Sequence, residues 1–122
     1  MKTKIFTIPA LLVLLISSYF IINSYSTLKS EPMPAPYFNV RVLQYGGTIS
    51  QNNAEVVYKQ GGSTVYTGTT DNNGWVYTTL ASGTYDVYVY YPARPNDQQS
   101  GSLLNHYHDG DENVSITLGP VY

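Results

Sequence analysis

Residues Thr69 to Tyr91 read TTDNNGWVYTTLASGTYDVYVYY, and the way this stretch folds decides the class of the whole chain. Two turn signals divide it. In Asp71-Asn72-Asn73-Gly74 the aspartate can accept hydrogen bonds from backbone N–H groups two or three residues on, while Asn73 and Gly74 tolerate left-handed backbone. Asp71 therefore reads as a turn lock before it reads as a metal ligand or an acid catalyst. Ala81-Ser82-Gly83 is the second signal, with Gly83 re-aiming the chain ahead of Tyr85. Between and after the turns the apolar residues alternate: Val76, Thr78 and Leu80 share one face, then Tyr85, Val87, Val89 and Tyr91. A period of two marks strands with one buried face.

The pattern continues in both directions. Strands are expected over residues 37–44, 54–59, 63–69, 74–80, 84–91, 102–107 and 113–119, and no helical period interrupts them. Phe38, Val40 and Val42 form one inward row, followed by Val56 and Tyr58, then Val65, and finally Val114, Ile116 and Leu118. Gly61 and Gly62 supply the positive φ of a hairpin between the second and third strands. The fold class this predicts is an all-β, seven-stranded antiparallel Greek-key β-sandwich, immunoglobulin-like or prealbumin-like, over residues 37–122. Tyr85 to Pro92, with the single charge of Asp86, reads as an aggregation-prone strand if it lies at a sheet edge.

The N-terminus has a different character. Lys2 and Lys4 precede the apolar run Ile5 to Ile22, and small residues at Ser24 and Ser26 follow. Residues 1–26 are expected to be a signal peptide or signal anchor helix, and residues 27–36 a proline-rich linker, which places the rest of the chain outside the cytoplasm. Secretion, or tethering by an uncleaved N-terminal segment, is the localisation expected. Beyond residue 26 stand four basic and eight acidic residues, a net charge of −4 that argues against nucleic acid or an anionic membrane surface as partner. Cysteine is absent, so disulfides, thiolate metal sites and thiol nucleophiles are excluded.

The sequence resembles the carboxypeptidase regulatory-like domains and their transthyretin-like (prealbumin-like) and collagen-adhesin B-type relatives. The residues that carry the likeness are Ala54 and Val56, Thr70, Asp71 and Gly74, then Leu80, Gly83 and Tyr85, and it spans about residues 37 to 119. It implies a non-catalytic module appended to exported proteins. Two departures narrow it. The Tyr-Arg-Gly-Ser close of the hydroxyisourate hydrolases is replaced by Gly119-Pro120-Val121-Tyr122, and the first strand carries Arg41 where an isopeptide-forming adhesin needs a lysine. No cofactor is implied.

Two features carry the functional expectations. With the valines inward, Tyr66, Trp75, Tyr77, Tyr88 and Tyr90 point outward, where they could stack on sugar rings or contribute an aromatic protein interface. His106 and His108 lie beside Asp109, Asp111 and Glu112, a set read either as a solvated acidic loop or as an extracytoplasmic zinc or copper site. A calcium loop does not fit, since Val114 stands where such a loop needs glycine and Pro120 where it needs glutamate. The function expected is interaction or assembly at the cell envelope with a protein partner or with itself. Carbohydrate binding through the exposed aromatics is the first alternative, and metal binding through His106 and His108 the second.

Overall fold

Alternating burial organises the protein. In the strand Phe38–Leu43 (β1) the side chains alternate strictly between buried and half-buried. A computed structural model describes residues 34–122, so the expected export segment over 1–26 and most of the 27–36 linker lie outside the described residues. The remaining strands are Glu55–Gln60 (β2), Ser63–Thr69 (β3), Trp75–Val76 (β4), Gly83–Tyr91 (β5), Gln99–His108 (β6) and Glu112–Thr117 (β7). They form a three-stranded sheet in the order β4-β1-β7 and a four-stranded sheet in the order β3-β2-β5-β6. The fold is thus all-β, with the inner rows of both sheets meeting in one core: Phe38, Val40, Val42, Val76 and Ile116 from one sheet, Val56, Tyr58, Tyr85, Val87 and Val89 from the other.

The turns explain how the chain passes between sheets. Asp71 Oδ1 accepts from the backbone N–H of Asn73 at 2.9 Å and of Trp75 at 3.0 Å, which closes the corner from the end of β3 to β4. Thr70, buried beside it, accepts from Ala54 N at 2.9 Å and donates to Gln51 O at 2.8 Å. At the next corner the Tyr85 hydroxyl donates to Ala81 O at 2.6 Å, pinning the turn four residues upstream. Asp71 and Gly74 sit at the first corner, Gly83 opens β5 after the second, and Tyr85, inside β5, reaches back to that corner through its hydroxyl. Gly61 (φ 58°) and Gly62 (φ 82°) make the β2–β3 hairpin.

Four expectations are overturned. The sheets are not wholly antiparallel: β1 and β7 pair in parallel, Phe38 to Glu112 through Leu43 to Thr117. Alternation in FNVRVL and ENVSIT reports one solvated face and is blind to strand direction, and no hairpin ties this first strand to the last. The Tyr85–Tyr91 run is not an edge, because β5 is central, flanked by β2 and β6. Val65 is 44% exposed and unpaired, because a register shift after Tyr58 makes it the extra residue of a bulge, and Tyr66, itself 36% exposed, pairs with Tyr58. The expected strand over 74–80 shrinks to Trp75–Val76, followed by the isolated bridge Tyr37–Thr79.

Tyr58 is fully buried and donates to Phe38 O at 2.9 Å across the sandwich. Burial, with a smaller push from Tyr66, raises its phenol pKa far above the ordinary range. A raised folded-state pKa means that its contribution is fully present below about pH 10, where an unfolded tyrosine titrates, and is lost as pH rises beyond that. Burial raises Tyr85 in the same direction. Urea titrations from about pH 8 to 11 are expected to show stability falling above about pH 10 by up to ~1.4 kcal/mol per pH unit for each such group. Tyr58→Phe loses roughly 1 kcal/mol at neutral pH but declines less steeply in alkali.

Candidate functional site

The five outward aromatics do not form one surface. Because the corner after Leu80 carries the chain from one sheet to the other, Trp75 and Tyr77 lie on the outer face of the three-stranded sheet, while Tyr88 and Tyr90 lie on the opposite exterior. Tyr66 belongs to neither, its ring meeting Tyr58 edge-on at 5.8 Å.

Tyr88 and Tyr90 are covered by their own chain. The Lys59 ammonium lies 5.4 Å from the Tyr88 ring centre, and the Arg94 guanidinium 4.5 Å from that of Tyr90. Arg94 also donates to Glu55 at 2.7 Å, a contact that raises its pKa further. Cations over aromatic faces satisfy those faces and occupy the positions a ligand would need. This exterior is self-contained.

The Trp75–Tyr77 face is different. Their rings are nearly parallel, 6.0 Å apart between centroids with 19° between planes, and Tyr77 is 60% exposed. Beside them lies an open groove of about 470 Å³ lined by Tyr37, Asn39, Tyr77, Thr78 and Thr79. The bridge between Tyr37 and Thr79 and the bond from Phe38 N to Thr78 O at 2.8 Å hold its two walls in register. Asn39 Nδ2 donates to Asn113 Oδ1 at 3.0 Å across the parallel pair β1–β7, which leaves one amide carbonyl and one amide NH2 free to face solvent. Arg41, opposite Trp75 in the register, is turned onto the Ser50 hydroxyl at 2.6 and 3.0 Å. The groove lining is therefore aromatic rings, hydroxyls and amides without a formal charge.

Asp109 and Asp111 are exposed in the loop between β6 and β7, but the two histidines are not part of that loop. His106 and His108 lie in β6, and His108 is fully buried, its ring stacked on Phe38 at 4.6 Å. Its Nε2 faces Pro36 O at 3.2 Å and Leu80 O at 3.1 Å, while Nδ1 faces Glu112 Oε2 at 3.1 Å. The other Glu112 oxygen meets His106 Nε2. Carbonyl oxygens only accept, so Nε2 of His108 carries a proton, and a further proton sits in its contact with Glu112. Both nitrogens are committed to holding strands together. Among the described residues no group of three His, Cys, Asp or Glu side chains is disposed to hold a metal ion. Asp111 is likewise engaged, accepting from Tyr37 N at 3.0 Å.

No protein-family model matches the chain, and no curated protein is significantly similar to it. What the site can do must therefore be read from its own residues. Sequence reasoning found Trp75 and Tyr77 by their outward parity but missed Tyr37 and Asn39, which come from β1. Their parity was visible; their adjacency to Tyr77 was not.

Proposed function

We propose that the chain is a non-catalytic, exported β-sandwich module that binds a partner at the cell envelope through the outer face of its three-stranded sheet. The observation that carries this reading is Tyr77, 60% exposed at the rim of a groove with its ring nearly parallel to that of Trp75, while the aromatics of the opposite exterior are capped by Lys59 and Arg94. Export rests on the Lys2, Lys4 and Ile5–Ile22 pattern. The lack of catalysis is supported by the two histidines of the chain, both tied to Glu112 with no hydroxyl nucleophile among their hydrogen-bond partners. The likeness to carboxypeptidase regulatory-like domains, with a Greek-key, prealbumin-like ordering of the strands, belongs to the same proposal.

Retention on the isolated envelope fraction of the source cell tests it. The wild-type chain is expected to be retained, and Trp75→Ala and Tyr77→Ala to bind roughly 30-fold more weakly, the loss of about 2 kcal/mol expected of a central aromatic anchor. Tyr77 is exposed enough that its truncation leaves the fold intact, which circular dichroism checks. Equal retention of all three chains sinks the reading.

Self-assembly is a second reading, favoured by β3. This edge strand, STVYTGT, is exposed along nearly its whole length, carries no charge or proline, and among the described residues has no strand on its outer side. The opposite edge is better guarded: Gly119 N and Tyr122 N donate to Ser100 O and Gln98 O, laying the C-terminal segment along β6. Sedimentation of wild type against Thr67→Lys decides it, since a charge on the edge is expected to abolish association through β3.

A further inference from the structure

Several features compete for a further role: the Glu112 cluster, the bare β3 edge, the capped tyrosines and the groove. The chemistry of the groove reaches furthest. Resting on the reading of this face as the binding surface, we infer that its ligand is a neutral polysaccharide, recognised as a short run of pyranose rings.

Three observations converge. First, Trp75 in β4 and Tyr77 just after it carry nearly parallel, stacked rings 6.0 Å apart, with Tyr77 60% exposed. Aromatic faces bind the C–H faces of sugar rings, and a pair in series suits a polymer better than a single small molecule. Second, the described residues that line the groove are Tyr37, Asn39, Tyr77, Thr78 and Thr79, none of them charged, and the nearby Arg41 is directed at the Ser50 hydroxyl through Nε and Nη2. Among those lining residues an anionic ligand would find no cation, and a cationic one no carboxylate. Third, Asn39, which lines the groove, uses one group of its amide on Asn113 and keeps the other for a ligand, whichever way the amides are oriented. Either group matches a sugar hydroxyl, which both donates and accepts.

Size separates this ligand from a folded protein partner. At about 470 Å³ the groove falls within the range of small-ligand sites, roughly 300–1,000 Å³, and it is open, so a chain can enter and leave at its ends. A protein interface would need a much broader patch, on the order of 800 Å² from each side.

The chain has a single tryptophan, so its fluorescence reports on this site alone. The full-length chain, in detergent, is titrated with neutral hexasaccharides of β-glucan, xylan and mannan while the Trp75 emission is followed. At least one is expected to shift the emission saturably and without salt dependence, and Tyr77→Ala to weaken that binding at least tenfold. In parallel, retention on the envelope fraction is measured after periodate oxidation of its glycans and after protease digestion. Loss with periodate and survival with protease supports the inference. Retention that depends on Tyr77 but survives periodate and disappears with protease overturns it while leaving the binding face intact. Retention independent of Trp75 and Tyr77 removes the binding face itself, and the inference with it.

Discussion

Replacing Glu112 by alanine is expected to cost the domain on the order of 3 kcal/mol, a large share of the roughly 5–13 kcal/mol that a unit of this size holds in total. Its register opposite Phe38 turns the Glu112 side chain inward, where its two oxygens divide between His106 and His108. No buried side-chain nitrogen or oxygen lacks a partner among the described residues. Alanine would create such an orphan at His108 Nδ1, on a ring that is fully buried and cannot turn to water. Glu112→Gln tests the account, because a glutamine keeps one acceptor for the imidazole and should recover at least half of the loss in urea denaturation. If alanine and glutamine cost the same, the carboxylate is not the hub described.

The damage would not stay local. His108 Nε2 also donates to Pro36 O and Leu80 O, and Leu80 N donates to Pro36 O at 3.1 Å. These residues flank Tyr37 and Thr79, the walls of the groove. One buried imidazole on the four-stranded sheet thus anchors, from behind, the segments that line the groove of the other. Faster amide exchange at Tyr37 and Leu80 in Glu112→Ala, with slow exchange retained at Val87 and Val89, is the pattern that follows.

Why this hub was hidden while the core was plain is a matter of range. Phe38, Val40 and Val42, or Val87 and Val89, declare a buried face by their own spacing, because parity along a strand is local information. The Asp71 and Tyr85 corners are local too, each closed by partners within four residues. His108 is different. Its neighbours in sequence, Asp109, Asp111 and Glu112, read as a hydrated stretch, and the acceptors that make its burial tolerable lie 72 and 28 residues away. The same distinction governs the surface. Outward parity was readable for Tyr88 and Tyr90 as for Trp75 and Tyr77, but whether an outward ring is free depends on what crosses it. Lys59 reaches Tyr88 from a neighbouring strand, and Arg94 folds back over Tyr90. Strand direction in the β1–β7 pair was lost for a related reason, since the two strands are neighbours in the sheet but first and last in the order of strands.

Gly74→Ala is the second large effect, expected at about 2–5 kcal/mol by summing a left-handed backbone penalty of ~1–2 with an overpacking cost of ~1–3. Gly74 has φ 82°, and an added Cβ would stand 2.9 Å from Ser50 Cβ and 3.0 Å from the Val42 carbonyl oxygen, which is backbone and cannot swing aside. Its own carbonyl accepts from Val42 N at 2.8 Å, so a shift of this residue breaks the start of the β1–β4 pairing. Asp71→Ala removes two acceptor contacts from the same turn and is expected to cost less, about 1–2 kcal/mol. Because both changes release one structure, the double variant should lose clearly less than the sum of the two, a coupling of at least ~0.5 kcal/mol in a double-mutant cycle. Strict additivity would mean that the turn does not act as a unit. The consequence reaches the binding face directly. Trp75 follows Gly74, and its N–H is held by Asp71. A chain carrying Gly74→Ala that still folds at low temperature should therefore show altered Trp75 emission before any ligand is added, whereas Tyr58→Phe, deep in the core, should leave that emission unchanged.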